Sequence, residues 1–146
     1  MKATHPIGIV SLGAATPEDI SMRAYGKLQT ADEIYCLGEA AHRIVAALPE
    51  GTALAQRCQI LEIPMSSDRT EAIRYYEQLA TRLLDQQGRG LACSVVTIGD
   101  AGTYATVQYL ADLLRQAGAE MEVVPGIPYY IAAAAAFGQG LVRQDE

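Results

Sequence analysis

Leu91-Ala-Cys-Ser-Val-Val-Thr-Ile98, followed at once by Gly99-Asp100-Ala-Gly-Thr103, is the stretch that decides the fold. An apolar run of this length ending in a Gly-Asp turn reads as a strand buried on both faces. The residues after it, Tyr104 to Ala117, carry a helical pattern closed by Gly118. The residues before it, Asp68 to Gln87, form a long amphipathic pattern with Ile73, Tyr76, Leu79, Ala80, Leu83 and Leu84 on one stripe and Gly88 at its end. Helix, buried strand, glycine turn and helix is the repeating unit of a parallel sheet.

The same alternation continues in both directions. Ile7-Gly-Ile-Val-Ser-Leu12 is a first strand, ending at Gly13. Thr16-Pro17-Glu18-Asp19 then opens a helix that carries Ile20, Ala24, Lys27 and Leu28. Thr16 suits the cap, Pro17 the first helical position, and the two acids the positive end of the helix dipole. Glu33 to Leu37 is a second strand ended by Gly38, and Ala40 to Leu48 is a short helix stopped by Pro49. Gln59 to Ile63 is a third strand stopped by Pro64. Met121 to Val124 is a fifth, ended by Pro125-Gly126, and Tyr129 to Phe137 is an alanine-rich helix with a small-residue surface. Five strands alternating with five helices predict an α/β domain. It is a three-layer arrangement, a mostly parallel five-stranded sheet with helices on both faces and right-handed crossovers. Ligands in such sheets bind beyond the carboxyl ends of the strands. Three of those ends carry Gly13, Gly99 and Gly126, where backbone can approach a small molecule closely.

Composition narrows the function classes. The chain has 146 residues, half of them hydrophobic, which fits one globular domain without a disulfide or metal staple. Eleven basic against seventeen acidic residues give a net charge of −6, with no Lys/Arg run, so nucleic acid is not an expected partner. Cys36, Cys58 and Cys93 are an odd, widely spaced set without C-x-x-C, which predicts reduced thiols and no metal site. The apolar stretch from Ile127 to Phe137 is too short for a membrane span and is broken by Pro128. The first residues are no signal peptide, so a cytoplasmic protein is expected. Gly8 and Gly13 have P-loop spacing, but Ala14-Ala15 stand where Lys-Ser/Thr is required. Neither G-x-G-x-x-G nor G-x-S-x-G occurs, and His5 and His42 are solitary.

Three motifs in order carry a resemblance. Ile9-Val-Ser-Leu-Gly-Ala-Ala-Thr-Pro-Glu-Asp-Ile-Ser21, with Leu28-Gln-Thr-Ala-Asp-Glu-Ile34 after it, is similar to the opening of the tetrapyrrole methylases. There an apolar strand runs into Gly-x-Gly-Pro-Gly-Asp-Pro, a helix, and an Ala-Asp before the second strand. Thr97-Ile-Gly-Asp-Ala-Gly-Thr-Tyr-Ala-Thr106 resembles the family's Gly-Asp-Pro loop, and Val123-Val-Pro-Gly-Ile127 with its trailing alanines resembles the third motif. Gly140 to Glu146 resembles the exit of the family's first domain. Within the family the nearest likeness is to precorrin-2 C-20 methyltransferases, through Arg74-Tyr-Tyr-Glu-Gln-Leu79 and the run from Gly99 to Leu110.

The resemblance implies methyl transfer from S-adenosyl-L-methionine to a carbon of a precorrin-type tetrapyrrole, as in cobalamin or sirohaem synthesis. It also implies a homodimer of two-domain subunits, with the cofactor between the domains. Residues 1–146 then correspond to the first domain, the second lying outside this chain. On this likeness Ala14, Ile98, Gly99, Asp100, Thr103, Pro128 and Tyr129 line the cofactor. Asp100 would accept from its ammonium group; it can equally cap a helix starting near Thr103. Thr103 shares that cap alternative, and Pro128 and Tyr129 can simply start a helix and pack in the core. In-line methyl transfer needs alignment more than a nucleophilic side chain, so no catalytic residue is assigned. The first loop departs from the pattern. Ala14, Ala15 and Thr16 replace Pro, Gly and Asp, and Ala15 makes a positive φ costly. Ala101 replaces the second loop's Pro. These departures keep open a non-catalytic member of the fold, or a methyltransferase whose acceptor is a protein, as in the related diphthine synthases, or RNA. A carboxylate-rich substrate calls for local cations in an acidic chain, and Arg23, Arg43, Arg57 and Arg69 are candidates; each is otherwise a solvated surface charge.

Overall fold

The computed structural model describes residues 4–64 and 68–145. Its centre is a five-stranded sheet, β1 (Ile7–Ser11), β2 (Glu33–Leu37), β3 (Cys58–Leu61), β4 (Cys93–Thr97) and β5 (Met121–Val124), in the order β3-β2-β4-β1-β5. Every pairing is parallel. Six α-helices connect and flank the strands: α1 (Met22–Thr30), α2 (Glu39–Ala46), α3 (Gly51–Gln56), α4 (Arg69–Gly88), α5 (Val107–Gln116) and α6 (Tyr129–Ala136).

Alternation along the strands divides the core in two. Ile7 and Ile9 of β1 and Cys93 and Val95 of β4 face α4 and α5, against Tyr76, Leu79, Leu83, Leu110 and Leu114. Val10, Leu12, Ile34, Cys36 and Val96 face α1, α2 and α3, against Ala24, Leu28, Ile44, Val45 and Leu54. Because β1 and β4 are covered on both sides, their sequences read as unbroken apolar runs. Connections that move toward β3 pass over the α1–α3 face, and those that move back toward β5 pass over the other. The chain therefore reverses direction across the sheet at β1 and β4, the place where such sheets bind ligands.

Several expected boundaries shift. Thr16 makes no side-chain cap, and Pro17–Asp19 form only a 3-10 turn. α1 begins five residues later, capped by Ser21, whose hydroxyl accepts from Ala24 N. Pro49 stops α2 as expected, but Glu50 takes a left-handed φ of +60° and the chain restarts as α3, an element the sequence reading lacks. Here Gly51 is obligatory, since a Cβ would sit 2.0 Å from Ala46 O. The third strand runs from Cys58, not Gln59, and ends at Leu61. Asp68 caps α4, accepting from Thr70 N at 2.9 Å. Gly88 is still helical, and Gly90, with φ +85°, makes the left-handed exit. α5 starts at Val107 rather than Tyr104, because Tyr104 itself is left-handed at φ +55°. In α6 no residue is buried, so its alanines are not core packing within this chain.

Cys36 and Cys93 are buried free thiols and Cys58 is half-buried. Burial, with Glu33 and Asp32 nearby, pushes Cys93 up to about 11, which keeps it protonated and inert at neutral pH. Among the described residues no helix is long and apolar enough to cross a membrane.

Candidate functional site

The three glycine turns meet. Beyond β1 and β4 the chains pair antiparallel for one residue: Gly99 N donates to Gly13 O at 2.7 Å and Gly13 N to Gly99 O at 3.2 Å. Both glycines have positive φ, +79° and +80°. Gly126 lies against this pair so tightly that a Cβ there would stand 2.7 Å from Gly99 O and 2.6 Å from the Ser11 Cβ. A side chain at Gly126 would break the junction and one at Gly13 would run into Asp19 O at 2.5 Å, whereas at Gly99 the space is open and it is the positive φ that favours glycine.

Two polar side chains hold the junction in place. Asp100 is the main one. Its Oδ1 accepts from Gly126 N at 3.0 Å, and its Oδ2 accepts from the Thr103 hydroxyl at 2.7 Å and from Gly102 N at 3.2 Å. One carboxylate thus ties the β4 loop to itself and to the β5 loop. Partial burial alone would raise this carboxyl, but the bonds from Thr103, Gly126 and Gly102 outweigh it and hold it below the ordinary carboxylate range. It stays ionised at neutral pH and retains acceptor capacity. Asp100 does not cap α5, whose first residue is Val107; Thr103 is its partner within the loop. The second staple is Ser11, buried at the end of β1, whose hydroxyl accepts from Ala101 N at 2.8 Å. A serine inside an apolar strand gives no sequence signal of such a role, and Ser11 was not among the expected site residues.

The expected residues divide. Gly99, Asp100 and Thr103 sit together on the junction, and Pro128 joins them: a Cβ at Gly99 would meet only the Pro128 Cα, at 4.0 Å. Ala14 follows Gly13 and is half-buried. Ile98 turns its side chain to the α2 face, where it borders a shallow cleft of about 280 Å³ with Ala15 and Arg43. Tyr129 opens α6 but stands 73% exposed, edge to face with Tyr130 at 6.0 Å, so core packing does not explain it. Ala15 has φ +65°, the left-handed geometry in which its β-carbon is costly.

A second and larger cleft, about 620 Å³, opens on the other side of the β4–α5 loop. The N-terminal turns of α4 and α5 form its walls, and Tyr104 to Thr106 its rim. Tyr76, buried within it, donates to the Thr106 hydroxyl at 3.1 Å. Of the four candidate arginines, Arg69 lines this cleft. Arg57 is committed to the backbone oxygens of Gln29 and Ala31 at 3.0 and 2.8 Å. Arg43 borders the smaller cleft, and Arg23 lines neither.

Comparison with known proteins agrees with this architecture. A probable cobalt-precorrin-2 C(20)-methyltransferase of Methanocaldococcus jannaschii is 28% identical over 143 residues, covering 94% of this chain and 59% of the relative. The uroporphyrin-III-C-methyltransferase of Thermus thermophilus superposes with a TM-score of 0.71 at 23% identity, over 96% of this chain and 55% of that one. A cobalt precorrin-4 methyltransferase gives 0.69 at 22% identity, over 96% and 53%. The chain thus spans between half and two thirds of the length of these proteins. The family model of tetrapyrrole (corrin/porphyrin) methylases matches residues 6–146, nearly the whole sequence. By that match, and by the meeting of its three glycine loops at the sheet's reversal point, this chain belongs to the tetrapyrrole methylase family.

Proposed function

We propose that the chain is the cofactor-side domain of an S-adenosyl-L-methionine-dependent methyltransferase that acts on a carbon of a precorrin-type tetrapyrrole. One observation carries the reading: Gly13, Gly99 and Gly126 form a single hydrogen-bonded junction at the reversal point of the sheet. The family match and the name of the Methanocaldococcus relative support the acceptor class.

The residues present fit the cofactor. An ionised carboxylate with spare acceptor capacity, Asp100, stands beside backbone free of side chains, which suits an amino-acid moiety bearing an ammonium group. On this reading Ala14, Ile98, Gly99, Asp100, Thr103, Pro128 and Tyr129 hold the cofactor. Bound S-adenosylmethionine supplies an electrophilic methyl group. The chain's own work is positional: Asp100 and Ser11 fix the loops in advance, so alignment costs little on binding. The reading assigns residues 1–146 to the first of two domains, gives the remaining contacts to the second, and expects a homodimer in the cytoplasm.

The test is transfer of labelled methyl from S-adenosylmethionine to a precorrin-type tetrapyrrole by the intact protein. Label in the macrocycle is expected. Binding of the cofactor without transfer to any tetrapyrrole would favour a member of the fold that has lost turnover, the reading suggested by Ala14, Ala15 and Thr16 in the first loop.

A further inference from the structure

Two of the three thiols meet in the fold, although their sequence spacing carries no metal motif. β2 and β3 pair in parallel with Ile34 opposite Cys58 and Cys36 opposite Ile60, so Cys36 and Cys58 stand diagonally on one face of neighbouring strands. Both pack into the core beneath α2 and α3. Contact with Cys58, and then burial, pushes the Cys36 thiol up. Contact with Cys36 pulls Cys58 down against its own burial, and the Arg57 charge adds to the fall. Cys58 is thus the sulfur that ionises first, and being half-buried it is also the one that solvent reaches. Its thiol donates to the Leu54 carbonyl at 3.3 Å. That carbonyl also accepts from Arg57 N at 3.0 Å, so it keeps a partner when Cys58 gives up its proton.

The spacing is wrong for a disulfide. Strands about 4.8 Å apart and an offset of two residues, at about 3.3 Å each, separate the two Cα atoms by roughly 8 Å, beyond the ~6.8 Å that a disulfide usually spans. An atom between the sulfurs relaxes that demand. Two metal–thiolate bonds of about 2.3 Å hold sulfurs as much as about 4.6 Å apart, against about 2 Å in a disulfide. Among the described residues no group of three or more His, Cys, Asp or Glu could hold a metal ion, which excludes the four-ligand sites typical of zinc. We propose that Cys36 and Cys58 form a two-sulfur site for a soft monovalent metal ion of the Cu(I) class, laid between β2 and β3. Thiolate sulfur selects such an ion, which accepts two ligands alone. On binding, both thiols release their protons to solvent, two metal–sulfur bonds form, and no electron is transferred. Two thiolates and one monovalent cation leave a single negative charge. The adjacent Arg57, fixed by the Gln29 and Ala31 carbonyls at 3.0 and 2.8 Å, offsets it, as a half-buried site requires. The site is separate from the glycine junction and does not depend on the methyl-transfer reading.

The test is a competition on the intact, reduced protein under argon, with Cu(I) buffered by the coloured chelator bicinchoninate. The wild type and Cys93→Ser are expected to withdraw one Cu(I) per chain, read as lost chelate absorbance. Cys36→Ala and Cys58→Ser should leave the ion with the chelator, and their urea midpoints without copper show that they fold. X-ray absorption of the copper-loaded wild type and Cys93→Ser decides the matter if either of those variants does not fold: two sulfur neighbours are expected in both, with no nitrogen or oxygen. No withdrawal by the wild type, equal withdrawal by a folded Cys36→Ala or Cys58→Ser, loss of uptake in Cys93→Ser, or a spectrum with one sulfur overturns the proposal.

Discussion

Asp100 holds more of the site together than any other side chain. It accepts three hydrogen bonds that connect two loops, and its carboxyl is held low by them against the opposing effect of burial. A folded-state value below the unfolded one means that the staple stabilises fully above the unfolded carboxylate value, about 3.9, and is lost as pH falls through the lower folded value. Asp100→Asn should therefore remove part of the acid limb of the stability profile and change stability little between pH values below it, as measured by denaturant melts from pH 2 to 7. At Ala15 the strain runs the other way. Its left-handed φ is one a glycine adopts without a β-carbon clash, so Ala15→Gly should raise stability by about 1 kcal/mol in urea unfolding. Gly126→Ala forces a Cβ into the Ser11 side chain and the Gly99 carbonyl, and should lower stability by about 1–3 kcal/mol. Gly13, Gly99, Gly126 and Asp100 are legible in the sequence because a glycine or Gly-Asp after an apolar run has few other reasons to be there. Ser11 is not, because its role exists only through Ala101 N, ninety residues away.

At the level of elements, the strands were readable, as were the starts of α2, α4 and α6, while those of α1 and α5 were not. Strands sandwiched between helices are marked by their apolarity, so β5 falls where the pattern puts it, at Met121–Val124. Helix starts depend on local bonds. Thr16-Pro17-Glu18 has the composition of an opening turn, yet Ser21 makes the cap. Tyr104 opens a stretch whose composition reads as helix, yet its positive φ delays α5 to Val107. α3 was hidden because Pro49 and Gly51 both look like breakers, and only the Ala46 carbonyl pressed against Gly51 shows why that glycine belongs in a helix. The long stripe of α4 was the most reliable helical signal, and it covers the sheet: Leu83 is fully buried between β1, β4 and α5. Leu83→Ala should cost about 2–5 kcal/mol, read by chemical denaturation of the intact protein. α6 is the opposite case, apolar by composition but without a buried residue.

The molecule as a whole is a parallel sheet whose loops converge where the crossovers reverse. That convergence was implied by three glycine turns at strand ends, but sequence does not give strand order. Only the order β3-β2-β4-β1-β5 makes β4, β1 and β5 neighbours and so joins their loops. The chain spans 59% of its Methanocaldococcus relative. The central claim is that the joined loops are the cofactor site. Amide hydrogen exchange of the intact protein, with and without S-adenosylhomocysteine, tests it most directly. Added protection should concentrate at Leu12 to Thr16, Ile98 to Thr103 and Val124 to Tyr129; saturation of the protein with ligand while those segments exchange unchanged would contradict it.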